Sequence, residues 1–579
     1  MEKYTITFKP MDTQIIVDAG TTLLDAQIMA GLKPDAPCGG KGTCGKCLVE
    51  ILYDDGPEIL KACETEIFEN LTIKVKNKGG KHQLLMQGTE REIVLDSAIT
   101  SQILKIDRPN VNNINSEWDR IRYALADKLL VNEREIVTDV SLLDEIYNNM
   151  NKNEYILRSI LFNNEIIDVF EDEGDAYVVA VDIGTTSIVC YLMDADSGKE
   201  LAVKSTLNPQ SQFGADVILR LNHALENGVD ALSSVVRNAI NGLIKEAAKE
   251  AGIAPEKIYL TAIVGNTCMH HLFLGITPRS LGKAPYNPMI DEKLILNAID
   301  YNISINKRAK LLVLPNIAGF VGADTMGVLI ATEFDSLKEL SLVIDIGTNG
   351  EMVMGNRHRM IACSTAAGPA FEGAKIKCGM RGKEGAIERA KFVNGSLEYQ
   401  VIGDVPAEGI CGSGLLDIIA AFVEEGVVDE TGKFDLDAKA SQGKMIEVEG
   451  KKAFYISEKV HVTQMDIREV QLAKSAIAAG ISLMAEKLGI EIEQIEKVML
   501  AGAFGNYMSP HSACVLGLIP QKLEKKVVPV GNAAGEGAKI AALNINEFNK
   551  STEIAERVEF LELAISPKFQ DCFVDNLGF

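Results

Sequence analysis

Val179-Ala180-Val181-Asp182-Ile183-Gly184-Thr185-Thr186 returns later in the chain as Leu342-Val343-Ile344-Asp345-Ile346-Gly347-Thr348-Asn349. Each copy is an apolar run of the length of one buried strand, and each closes on Asp-x-Gly-Thr. Further strand-like sequence follows both, Ile188-Val189-Cys190-Tyr191-Leu192-Met193 and Glu351-Met352-Val353-Met354. Later in each half a long helical run, 231–251 and 472–488, precedes an apolar strand ending in glycine. Those strands are Leu260-Thr261-Ala262-Ile263-Val264-Gly265 and Val498-Met499-Leu500-Ala501-Gly502. Matching element order predicts a duplicated α/β domain over 175–579, with halves 175–338 and 339–579 facing across a cleft.

The repeated turn suits phosphate. Glycine lets the backbone fold tightly and point N–H groups at anionic oxygens, and the threonine hydroxyl adds a donor. The aspartate at the strand end can hold Mg²⁺ through waters. One such turn is an ordinary strand ending; two on matching strands, with the late Ala501-Gly502-Ala503-Phe504-Gly505, form a specific constellation. No Walker A sequence is present. On these motifs the segment resembles the actin/Hsp70/sugar-kinase ATPases, with their ribonuclease H-like fold. The resemblance implies ATP with Mg²⁺. It places Asp182, Gly184, Thr185 and Thr186 in a first phosphate loop, and Asp345, Gly347, Thr348 and Asn349 in a second. It brings Gly502, Ala503 and Gly505 to the adenosine. Gln210 or Asp216 is a candidate for orienting the attacking water, and Glu372, in Gly368-Pro369-Ala370-Phe371-Glu372-Gly373, for contacting water or metal. Cys411-Gly412-Ser413-Gly414 and Asn532-Ala533-Ala534-Gly535 read either as helix starts offering N–H donors or as close helix–sheet contacts. His270-His271 reads as core or cleft packing, because adjacent side chains on regular structure point different ways.

Near the N-terminus, Cys38, Cys44 and Cys47 are spaced C-x5-C-x2-C, and Cys63 follows. Four thiolates with a C-x2-C pair fit one [2Fe–2S] cluster; the alternative is a zinc knuckle, although zinc ribbons usually pair two C-x2-C turns. Strand-like 3–8 and 14–17, a short helix over 22–30, the cysteine loop, and strand-like 48–52 and 71–75 give the order of a β-grasp ferredoxin, which 1–76 resembles. Residues 77–99 read as a linker. Residues 100–174 read as a small α+β middle domain, with Ser116 capping a helix and a hairpin around Asn163-Asn164.

A formal charge of −23 argues against nucleic acid and against an anionic membrane surface as partners. The absence of a signal-like start or a long apolar run implies a cytoplasmic protein. The whole domain order resembles the reductive activators of corrinoid proteins. That resemblance implies an ATP-hydrolysing electron transferase of a methyltransferase system in anaerobic metabolism. It would pass one electron from the cluster to a corrinoid protein and return Co(II) to Co(I). A reduced ferredoxin or flavodoxin is the implied donor, and a homodimer is admitted. An ATP-driven electron donor to a dehydratase and a redox-gated actin-like switch are the alternatives.

Overall fold

The computed structural model describes residues 2–9, 13–30, 32, 47–53, 56–74, 91, 93–111, 114–170, 174–347, 349–373 and 375–579. Cys38, Cys44 and Thr348 lie outside them.

At the N-terminus, strands Lys3–Lys9 and Thr13–Asp18 form an antiparallel hairpin, and Leu71–Lys74 pairs parallel to the first. Helix Leu23–Met29 is capped by Thr22, whose hydroxyl accepts from the Asp25 N–H at 3.1 Å. The five-stranded sheet is completed by Leu48–Tyr53 and by Gly56–Lys61, a strand that the sequence reading left out. This mixed arrangement is the β-grasp fold, with Ile6, Phe8, Leu23, Ile51 and Ile73 fully buried inside.

A second small unit has the four strands Ile99–Lys105, Ile156–Phe162, Glu165–Val169 and Val137–Thr138, packed on helices Glu117–Leu129 and Leu143–Lys152. Ser116 caps the first helix as expected, accepting from the Asp119 N–H at 3.0 Å.

Five strands of each half share one order and one set of directions. In the first half Tyr177–Ile183 pairs antiparallel with Ser187–Asp194, which pairs with Glu200–Leu207; on its other side Ile258–Gly265 and then Lys310–Val313 add parallel. In the second half Ser341–Ile346, Gly350–Asn356, Arg359–Thr365, Lys497–Ala501 and Val527–Gly531 repeat that order and those directions. Each sheet carries one further edge strand.

Two apolar helices join the halves. Ala323–Ala331 follows the fifth strand of the first sheet, and Ala533–Leu543 follows the fifth of the second. Their backbones touch. A methyl at Gly327 would stand 2.7 Å from the Ala534 carbonyl oxygen, and one at Gly537 only 2.0 Å from the Gly327 oxygen. Around this crossing one apolar core runs from Ala98 and Ile99 through Val178, Tyr191 and Leu260 to Val343, Met499 and Ala538.

The segment read as a linker needs correction at its C-terminal end. Asp96 forms a parallel bridge with Asn544, and Ile93, Ala98 and Ile99 pack on the shared core, so the described part of 77–99 is fastened to the duplicated domain. Apolar side chains at these positions have a burial site to fill, which composition alone did not reveal.

Gly537→Ala is expected to destabilise the duplicated domain by about 2 kcal/mol or more, because the added methyl meets backbone that cannot rotate away. Chemical unfolding measures this, and an unchanged midpoint would mean the helices can separate at their crossing.

Candidate functional site

The cleft between the two sheets is a cavity of about 270 Å³. Both repeated turns open into it: Asp182, Gly184, Thr185 and Thr186 from one half, and Asp345, Gly347 and Asn349 from the other. The parallel arrangement of the central strands puts these strand ends at one edge of each sheet, where α/β folds place their ligands.

Two acidic residues that sequence reasoning did not assign join the two aspartates. Glu351 is the antiparallel register partner of Asp345, so the hairpin sets the two carboxylates side by side on one face. Asp324 is in the first turn of helix Ala323–Ala331. Signals for both were present: a charged residue heading an apolar strand, and one inside an otherwise apolar helix. Asn532, at the matching start of the second crossing helix, hydrogen-bonds Asp182 and donates to the Tyr191 hydroxyl at 3.0 Å.

All four carboxyl groups are pushed upward. Burial and then the nearby Asp324 raise Asp182 to about 7, against the lowering Asn532 hydrogen bond. Burial, Asp324 and Asp182 raise Asp345 to about 7. Asp324 rises to about 6, chiefly through burial, and Glu351 rises well above its ordinary value through burial and then Asp324 and Asp345. Each side chain is only half-buried, because each opens on the cleft; the setting is a narrow crevice, not a dry interior.

Among the described residues the lining holds six carboxylates (Asp182, Asp324, Asp345, Glu351, Glu372 and Glu388) against the single guanidinium of Arg381. Such a field repels a polyanion unless a divalent cation enters with it, and clustered oxygen donors are the ligands that Mg²⁺ prefers. Anion donors are also at hand. Helix Gly412–Glu424 has no side-chain cap, and its first residues, Gly412 and Ser413, line the cleft. Gly502 has φ +84°, and a side chain there would stand 2.4 Å from Asp345 Oδ1, so only glycine fits. Phe371 and Phe504, parallel with ring centroids 4.9 Å apart, supply an aromatic wall suited to a planar base.

A further contact between the halves is made by the Thr186 hydroxyl, which donates to Glu372 Oε2 at 2.6 Å. Behind the first loop lies Arg220, fully buried, donating to the carbonyls of Thr185 at 2.6 Å and Gly214 at 2.9 Å. Burial lowers its guanidinium to about 10.

Several expected residues stand elsewhere. Gln210 is fully buried, its amide donating to the Leu232 carbonyl at 3.0 Å, and Asp216 caps helix Val217–Asn227 through the Leu219 N–H. Neither lines the cleft, so of the three catalytic polar candidates only Glu372 faces it. Gly505 packs against Leu500, below the cleft surface. Ala503 belongs to helix Gly502–Tyr507. His270 and His271 are core residues; His271 Nδ1 donates to the Thr267 carbonyl while Nε2 accepts from the Met289 N–H.

In the N-terminal unit the sulfurs of Cys47 and Cys63 are 3.2 Å apart, too far for a disulfide and close enough to grip one iron. Among the described residues these are the two predicted ligands present, and their convergence fits a thiolate-held cluster.

The architecture defines an ATPase-like actin-fold domain carrying a β-grasp unit at its N-terminus. Residues 339–579 match the family described as the C-terminal domain of RACo, the ASKHA domain; 177–337 match the RACo middle region, and 88–176 the RACo linker region. The corrinoid activation enzyme RamQ of Eubacterium limosum is 33% identical over 593 aligned residues, covering 99% of both chains. A [Co(II) methylated amine-specific corrinoid protein] reductase of Methanosarcina barkeri is 26% identical, covering 70% of this chain and 77% of its own. The solved structure of a reductive activator for corrinoid, iron–sulfur protein superposes with a TM-score of 0.77 at 31% identity, covering 100% of this chain and 98% of that one. The chain belongs to the RACo family of corrinoid-protein reductive activators. Among the described residues no helix is long and apolar enough to cross a membrane.

The raised carboxyl groups predict a pH signature. A carboxyl whose folded value exceeds its unfolded one near 4 contributes stability below about pH 4, and that contribution is lost as pH rises through the folded value near 7. In metal-free protein, Asp345→Asn should therefore flatten the fall in melting temperature between pH 5 and 8 relative to the parent, and Mg²⁺ should raise the parent's melting temperature most at pH 8. Equal slopes in the two proteins would show that the crevice does not strain this carboxylate.

Proposed function

We propose that the protein uses ATP hydrolysis to pass one electron from a [2Fe–2S] cluster to a corrinoid protein, returning inactive Co(II) to the methyl-accepting Co(I) state. The observation that carries the reading is the interlobe cleft, with paired strand-end aspartates on one chain with a converging thiol pair. The names of the full-length relatives supply the acceptor class.

When bound, the cluster supplies a single-electron carrier, and plant-type clusters lie near about −400 mV. Cys47 and Cys63 would hold it, together with Cys38 and Cys44. At the other end, Asp182 and Asp345 would hold Mg²⁺ through waters, with Asp324 and Glu351 adding charge around it. The turn at 184–186, Gly347 and Asn349, and the helix start at Gly412 would present donors to the phosphates. Glu372 would accept a proton from an attacking water, and its bond to Thr186 joins the two halves. Hydrolysis and release would break that closure and alter how the halves meet. A reduced ferredoxin or flavodoxin fits as the electron source.

Under anaerobic conditions, with a reduced donor near the cluster potential and a Co(II) corrinoid protein, Co(I) absorbance should appear only with Mg-ATP. Asp345→Ala should lower ATP turnover on the order of 10²-fold, since phosphoryl transfer depends on charge neutralisation. Cys63→Ser should retain ATP binding but yield no Co(I). Equal Co(I) yields with and without ATP would overturn the proposal.

A further inference from the structure

The segment arriving from the N-terminal unit meets the duplicated domain where the two crossing helices end. Arg91 Nη1 donates to the Ile330 carbonyl at 3.0 Å, and its Nη2 lies 3.1 Å from Glu333 Oε1 and 2.6 Å from Glu547 Oε1. Ile330 and Glu333 lie at the end of helix Ala323–Ala331 and just beyond it, in the first half. Glu547 is in the first turn of helix Ile545–Arg557, in the second half, which follows Ala533–Leu543 directly. One guanidinium therefore bridges both halves. The Arg91 and Glu547 side chains are only 20% and 16% exposed, so solvent screens the pair weakly.

The residues that follow continue the attachment. The Asp96 N–H donates to the Leu543 carbonyl at 3.0 Å, the Ile545 N–H to the Asp96 carbonyl at 2.9 Å, and the Asn544 amide to the Val94 carbonyl at 2.7 Å. Leu95 fills the space over Gly198, where a methyl would stand 2.7 Å from Leu95 Cδ2.

The opposite ends of the same two helices carry Asp324 and Asn532 to the cleft. Between the ends lies the glycine crossing, near the middle of the 9-residue and 11-residue helices. At about 1.5 Å per residue these are rigid rods of roughly 14 and 17 Å. With their backbones in contact at the centre, a tilt that moves the cleft ends moves the far ends the opposite way.

We propose that Arg91 is a positioning residue that couples the nucleotide state of the cleft to the placement of the N-terminal unit. The inference rests on the nucleotide reading above. A ligand that changes the helix crossing changes the distance between Glu333 and Glu547, and one planar guanidinium cannot serve both carboxylates equally well at two distances. The bridge is thus stronger in one cleft state, and the segment it anchors is held there more firmly. Hydrolysis itself makes no use of Arg91.

The test uses the full-length, cluster-loaded protein and a non-hydrolysable Mg-bound ATP analogue. Hydrogen exchange at the Asp96 and Ile545 amides should differ about tenfold between analogue-bound and nucleotide-free protein, and Arg91→Ala should shrink this to below about twofold. Arg91→Lys keeps the charge without the fork and should restore part of the difference. Without acceptor, kcat and KM for ATP in Arg91→Ala should stay within about twofold of the parent, while ATP-dependent Co(I) formation falls about tenfold. Glu333→Gln, at an exposed side chain, guards against loss of folding and should shift exchange in the same direction. Calorimetric binding of the analogue with unchanged exchange in the parent would overturn the inference alone. Full retention of the exchange difference in Arg91→Ala would do the same. Absence of analogue binding would remove the nucleotide reading, and this inference with it.

Discussion

Backbone contact between helices Ala323–Ala331 and Ala533–Leu543 is the constraint on which the rest of the duplicated domain depends. Gly327 and Gly537 leave no side chain between the two rods, so the helices meet at a distance that no larger residue permits. Each helix continues from the fifth strand of its own sheet, and the crossing therefore fixes how the two sheets face each other. It also delivers Asp324, in the first turn of one helix, and Asn532, the cap of the other, to the cleft. The shared apolar core then buries both helices together with Ile99, Ile160, Phe162 and Ile167 of the small neighbouring unit, making their relative positions a property of one packed interior.

Within that frame the cleft concentrates like charge against the grain of folding. Asp182 and Asp345 keep the symmetry of the duplication, and their surroundings break it. Opposite Asp182 in the antiparallel register stands Val189; opposite Asp345 stands Glu351. One crossing helix carries Asp324 in its first turn, while the other is capped by Asn532, a neutral amide that hydrogen-bonds Asp182. Directly opposed like charges destabilise a sheet, and the raised carboxyl groups show this crevice to be uncomfortable for anions alone. The arrangement makes sense where a divalent cation completes it. Local strain at such a place is what a ligand site can store and then release on binding.

The sequence made the duplication legible because a buried parallel strand and its phosphate-type turn both leave a local imprint, and the imprint occurs twice. The Ser116 cap, the short N-terminal helix, the helix at Gly412 and the β-grasp order were legible for the same local reason. Gln210 and Asp216 were misplaced because polarity near a loop does not say which way a side chain turns. Gln210 answers to buried backbone carbonyl groups, and Asp216 to the first turn of a helix. Asp324 and Glu351 were missed because their role arises from register and helix crossing, which no single stretch encodes. Strand Gly56–Lys61 was passed over because Gly56-Pro57-Glu58-Ile59-Leu60-Lys61 shows no alternation, and its Pro57 is tolerated only at a sheet edge. The linker reading failed at 93–99, where ordinary apolar residues find a groove made by distant parts of the chain.

That last correction bears on how hydrolysis could drive an electron uphill. A freely hung carrier would shuttle regardless of nucleotide, since a tether that contacts both cleft states equally cannot shift any equilibrium. A segment fastened across both halves can. Coupling free energies between sites are typically about 1–3 kcal/mol, or roughly 5- to 150-fold. For a one-electron couple, at about 59 mV per tenfold, that range amounts to roughly 40–130 mV. A few contacts that differ between open and closed clefts, of the kind made by one guanidinium and two carboxylates, therefore suffice to make a modestly unfavourable transfer proceed without any change at the cluster itself. The energetic requirement falls on the junction between tether and helices, some distance from both the thiolates and the phosphates, and Arg91 with residues 93–96 is where the chain has the contacts to meet it.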